Sequence, residues 1–209
     1  MADFNDILPS GVDIAAIDFI SNQPTVSTQS LSGRQQVRSF GGQFWSARVS
    51  MNLMSQRDLR KVYGFLIKQR GAFETFTIAP HPTTQIGGFD GATFIQASTT
   101  EDISATSTTA QKALGSTSVE LTNVNKFFAG DMIKFSNSGH TKAYMITQDQ
   151  GADNTIFFEP GLVKAIADTD NVLSGSNFEL TCRLVGDQIN YELNESGYGT
   201  IEFDIVEAV

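Results

Sequence analysis

With one cysteine, Cys182, in 209 residues, the chain can form no internal disulfide and no cysteine-rich zinc cage. That suits folding in a reducing cytosol. Basic residues are also scarce: 14 Lys and Arg stand against 23 Asp and Glu, a net charge of −9. Broad nucleic-acid binding through phosphate contacts needs the opposite balance. No stretch approaches the roughly 20 apolar residues that span a bilayer. The opening MADFNDILPSG has neither a basic nor an apolar region of signal type, so the expectation is a protein made and folded in the cytosol.

Residues that carry chemistry are few and badly spaced. His81 lies between Pro80 and Pro82, and His140 follows Ser138-Gly139. Neither has a partner at metal-ligand spacing, and both read as solvent-exposed loop histidines. Cys182 falls on the apolar face of a strand and reads as a packed, inert thiol. No G-x-S-x-G elbow, P-loop or dinucleotide fingerprint occurs. Carboxylates are plentiful, yet nothing in the sequence sets a pair at the roughly 5–10 Å that glycoside hydrolysis requires. The reading is therefore a non-enzymatic protein, with no catalytic residue, metal or cofactor assigned.

What is present is strand pattern. The apolar fraction is 40%, with 16 Phe, an ordinary globular composition. Residues 1–30 read as an extended arm or edge segment, with 14–20 a short strand. In 43–51 the apolar Trp45, Ala47, Val49 and Met51 alternate with Ser46, Arg48 and Ser50, the mark of a half-buried strand. A helix is expected over 56–70. Ser55 caps it, Asp58 stands in its first turn, and Leu59, Val62, Tyr63, Leu66 and Ile67 form one face. Gly71 is placed as the residue that ends it. A strand over 73–78 stops at Pro80.

From Thr83 the composition turns to Thr, Ser, Gly and Ala, with short strands expected at 93–96, 118–121, 132–135, 143–147 and 155–158. Several short strands with almost no helix signal imply a small barrel, filled by Phe127, Phe128, Phe157 and Phe158. Strong alternation returns with Phe178, Leu180, Cys182 and Leu184, then with Ile201, Phe203 and Ile205. These last strands match 37–78 in quality. The expected architecture is mainly β: a discontinuous domain of 1–82 and 177–209, with 83–176 spliced into it.

Charge is unevenly placed. Arg34, Arg38, Arg48, Arg57, Arg60, Lys61, Lys68 and Arg70 face a single acid, Asp58, between 27 and 70. Asp187, Glu192, Glu195, Glu202, Asp204 and Glu207 meet no Lys or Arg from 185 onward. Two readings follow. The segments pair within one domain, or they form a head-to-tail interface between copies, with Arg34, Arg38 and Arg48 opposite Glu202, Asp204 and Glu207.

The order of pieces resembles a known family. Gly33-Arg34-Gln35-Gln36-Val37-Arg38-Ser39-Phe40-Gly41-Gly42-Gln43-Phe44-Trp45 leads through a strand into the helix with Tyr63-Gly64-Phe65-Leu66. Ala129-Gly130-Asp131-Met132-Ile133-Lys134-Phe135 then precedes Lys142-Ala143-Tyr144-Met145-Ile146-Thr147, and acidic strands close the chain. From about residue 33 onward this resembles the distal tail protein of long-tailed bacteriophages, in the form that carries an inserted OB-like domain. The resemblance implies a β-sandwich-like ring domain with one helix and an outward-pointing OB-like barrel. It implies a virion structural protein at the tail tip, a hexameric ring that joins the tail tube protein to the tail-tip hub protein. DNA would pass through its channel without specific binding, and no membrane is involved. An alternative gives the working part to the insert, as a carbohydrate-binding adhesin; a hydrolase acting on host polysaccharide is the other class.

Overall fold

The computed structural model describes residues 6–7, 14–39, 41–78, 89–90, 93–94, 105–106, 112–121, 127–136, 140–150, 154–167, 170–174 and 178–209. Among the described residues the protein is mainly β, with one helix. From the N-terminus, β1 (Asp6–Ile7) and β2 (Ile14–Asn22) precede the hairpin of β3 (Thr25–Gln29) and β4 (Gln35–Ser39). Next come β5 (Phe44–Met51), β6 (Met54–Ser55), α1 (Gln56–Lys68) and β7 (Phe76–Ile78). The middle of the chain gives β8 (Phe89–Asp90), β9 (Thr93–Phe94), β10 (Ala105–Thr106), β11 (Ser118–Glu120) and β12 (Met132–Phe135). It continues with β13 (Tyr144–Ile146), β14 (Thr155–Glu159) and β15 (Asn171–Ser174). The chain closes with β16 (Leu180–Leu184), β17 (Tyr191–Leu193) and β18 (Tyr198–Glu207).

An eight-stranded sheet runs in the order β1-β7-β16-β18-β5-β2, with β6 and β17 also on β18. Its inner face follows from the period-2 alternation of β5 and β18. Trp45, Ala47, Val49 and Met51 are buried, as are Ile201, Phe203 and Ile205. Val49 stands opposite Phe203, and Ala47 opposite Ile205. α1 covers this face with Leu59, Val62 and Leu66. Ser55 caps it, accepting the Asp58 N–H and donating its hydroxyl to Asp58 Oδ2 at 2.8 Å. Ile67 departs from the expected face and is 54% exposed. The helix also ends before Gly71. Arg70 already takes the left-handed conformation at φ 54, and Gly71 follows at φ 68. A Cβ on Gly71 would lie 2.3 Å from Asp187 Oδ1, so two constraints hold that position to glycine. The turn through 69–73 in turn shortens the following strand to β7.

β7 and β16 are neighbours, with Ile78 opposite Leu180. The chain between them carries an antiparallel six-stranded sheet, β10-β15-β12-β13-β14-β11, whose hydrogen-bonded order is open at β10 and β11. It encloses its own apolar cluster, in which Phe135, Tyr144 and Phe158 meet edge to face with centroids 5.3–5.7 Å apart. Of the four Phe expected inside, Phe127 and Phe158 are buried and Phe128 half-buried, while Phe157 points outward at 38% exposure. Alternation along β14 permits only one of the last two to face in. His140 is another correction. It is buried, with Nε2 at 3.2 Å from the Ala165 oxygen and its ring against Phe135. His81, the boundary at 82/83 and the boundary at 176/177 lie outside the described residues, as do Ile95 and Gln96.

Candidate subunit interface

The outer face of the large sheet carries the charge. Asp18, Arg48 and Asp204 are cross-strand neighbours on β2, β5 and β18, an acid on each side of one guanidinium. Arg48 Nε donates to Asp204 Oδ1 at 3.0 Å with both side chains largely in solvent. That bond, and then the charges of Glu202 and Asp18, push the Arg48 pKa further up. One step along, Ser50 Oγ donates to Glu202 Oε1 at 3.4 Å. Beyond this row, β17 and β18 border an open groove of about 530 Å³ lined by Arg48, Glu192, Thr200, Glu202 and Asp204. A second hollow of about 420 Å³ shares Glu192 and Thr200 and adds the apolar Leu53, Leu193 and Tyr198. Gly199 lets these strands close up: a Cβ there would sit 2.1 Å from the Glu192 oxygen and 2.9 Å from Leu59 Cδ2.

Arg34 and Arg38 stand elsewhere, on the β3–β4 hairpin. Thr25 pairs with Ser39 and Gln29 with Gln35, and Gly33 at φ 81 makes the turn. Every residue from Gln23 to Ser39 is exposed. Thr25–Gln29, inside the segment expected to be an extended arm or edge segment, forms its first strand.

Of the six residues grouped by charge, the structure brings Arg48, Glu202 and Asp204 together and sets Arg34 and Arg38 on the hairpin. Arg48 and Asp204 already pair within one chain. Glu207 is the clear correction. It has the same parity as Ile201, Phe203 and Ile205, so the alternation of β18 turns it inward, and it is buried. Its partner is Lys142, to which the sequence pattern assigns no role. Lys142 Nζ bonds to Glu207 Oε2, and neither side chain has any exposure. Glu207 also accepts the N–H of Trp45 at 3.1 Å and of Ala143 at 2.6 Å. Lys142 Nζ donates to the Gln43 oxygen at 2.8 Å. Burial pushes the Lys142 ammonium down from its usual range, and Glu207 opposes that. Lys134 repeats the theme, donating from the smaller sheet to Thr181 Oγ1 at 3.1 Å. The two sheets are thus joined through one buried ion pair and a part-buried lysine contact.

Among the described residues, no group of three or more His, Cys, Asp or Glu is arranged to hold a metal ion. Burial pushes the Cys182 thiol up, and its Sγ lies 3.5 Å from the Phe76 oxygen. Such a thiol is a poor nucleophile. No described helix is long and apolar enough to cross a membrane. No protein-family model and no curated protein matches the chain. What the arrangement offers chemically is a surface: a charged sheet face, an apolar and acidic groove, and a hairpin in water.

Proposed function

We propose that this chain is a structural virion subunit. Copies of it close into a ring at the distal end of a long phage tail tube and join the tube to the tail-tip hub. In this reading the sandwich-like part, 1–82 with 177–209, forms the ring. Residues 83–176 stand outward as an OB-like insert, and DNA passes through the channel without specific binding. The element order supports the reading through its resemblance to distal tail proteins.

The observation that carries it is the edge of the large sheet. β2 is a nine-residue strand with a described neighbour, β5, on one side alone. An edge of that length presents a row of N–H and C=O groups that can template pairing with another chain. The opposite end of the sheet, at β1, is a different surface. Unlike surfaces joined head to tail close into a ring when the rotation permits. An acidic channel wall would also repel DNA phosphates instead of holding them. The mass of the purified protein in solution, with particle images, tests the reading. Closed rings of six copies are expected. A monomer at every concentration overturns it.

A further inference from the structure

We propose that the β3–β4 hairpin of one copy seats in the β17–β18 groove of a second copy, its Leu31 tip among Leu53, Leu193 and Tyr198 and its Arg34 against Glu192 and Glu202. The inference rests on the ring reading and names the contact that would build it.

The first argument is that the hairpin needs a cover. A lone two-stranded hairpin is marginally stable in water at best. Here every residue from Gln23 to Ser39 is exposed, and Leu31, Val26 and Val37 stand in solvent at 112%, 50% and 63%. The second is chemical complementarity. Residues 25–39 hold Arg34 and Arg38 and no acid. The groove offers Glu192, Glu202 and Asp204, and its single cation, Arg48, is bound to Asp204. Leu53, Leu193 and Tyr198, at 62%, 42% and 49% exposure, make an apolar end beside those acids. A Leu three residues from an Arg matches that pairing of apolar and acidic ends.

The third argument is position. The hairpin continues from the Asn22–Phe44 end of the β2–β5 pair. At about 3.3 Å per strand residue, the chain from Asn22 to Leu31 can carry its tip up to about 30 Å from that end. Arg48 lies about 13 Å to the other side on the same scale, and the apolar hollow is farther still. The root of the hairpin and the groove therefore lie toward opposite ends of β5. A second copy, placed head to tail, brings them together.

Cysteine cross-linking tests this on the full chain. Cys182 is buried, so it leaves new surface thiols as the reactive ones. Leu31→Cys and Leu193→Cys chains, purified separately and mixed, are treated with a short bis-maleimide. A cross-linked pair is expected from the mixture and from neither chain alone. Arg34→Glu in the first chain should abolish it, and Glu192→Lys in the second should restore it. If rings form but the mixed chains give no cross-link, the hairpin contact is overturned and the ring reading stands. If a Leu31→Cys/Leu193→Cys chain closes on itself as a monomer, the hairpin folds onto its own groove and the contact between copies is overturned. If no oligomer forms at any concentration, both readings fall.

Discussion

Trp45 and Ala143, 98 residues apart in sequence, are joined by a hydrogen bond of 3.0 Å from the indole Nε1 to the main-chain oxygen. Trp45 belongs to the large sheet and Ala143 to the segment entering the smaller one. The only tryptophan in the chain thus sits at the junction of the two, buried in the larger apolar cluster with Ala143.

Trp45→Ala should lower stability by about 3–5 kcal/mol, the range for emptying a large aromatic site. Trp45→Phe keeps most of the packing and loses chiefly the bond to Ala143, a loss nearer 0.5–1.5 kcal/mol. Urea unfolding followed by circular dichroism separates the two. Equal losses would mean that packing contributes little at this position.

Lys142→Met should cost about 3–5 kcal/mol, because it leaves the Glu207 carboxylate buried without its cation. Trp45 emission should shift to the red as water reaches the junction. Adding Glu207→Gln removes the stranded charge but keeps an acceptor for only one of the two N–H groups, since Trp45 bonds one carboxylate oxygen and Ala143 the other, so part of the stability should return. A double variant no more stable than Lys142→Met would show that the pair is not energetically coupled.

Asp131 makes a pH prediction. Burial first, and the Asp149 charge besides, push its carboxyl up to about 6, against the bonded Phe128 N–H. A folded-state pKa above the unfolded one means that the native state holds the extra proton. The stabilisation is complete below about 4 and is lost as pH rises through about 6. Asp131→Asn keeps the acceptor and cannot ionise. Its melting temperature should exceed that of the parent at pH 7.5, with the gap closing toward pH 4. A constant gap would remove Asp131 as the cause.

Joining residue 82 to 177 through a short Gly/Ser linker should leave a folded large sheet, since Ile78 and Leu180 are already opposite each other. The deletion removes Lys142 and Ala143, so the shortened chain should be less stable and its Trp45 emission red-shifted. Glu207→Gln in that background should recover part of the loss. Loss of the cooperative unfolding transition in both shortened chains would mean that the large sheet needs the smaller one to fold.

Local periodicity made much of this legible. The parity of 45, 47, 49 and 51 placed Trp45 in the core, and Ser55 with Asp58 fixed the start of α1. The hairpin was harder to read. With both of its faces in water it has no apolar alternation, and Ser32-Gly33 was its only turn signal. Grouping Glu207 by charge with Glu202 and Asp204 overrode a parity that already turned it inward. Lys142 gave no local sign, because its partner is 65 residues away. Arg48 and Asp204, open in the sequence to pairing within a domain or between copies, meet on adjacent strands of one chain.

The facing of Ile78 and Leu180 has a consequence for how such a protein changes over generations. A gene can lengthen, shorten or exchange everything between those codons while the flanking strands keep their register. The closure entropy rises by only about 0.6 kcal/mol for each doubling of the intervening length. One inherited condition limits that freedom: an acid at 207 needs a cation supplied by the exchanged segment. Descendants that have lost the intervening domain are therefore expected to carry a neutral or apolar residue where Glu207 stands, and sequencing such variants would show whether the two losses travel together.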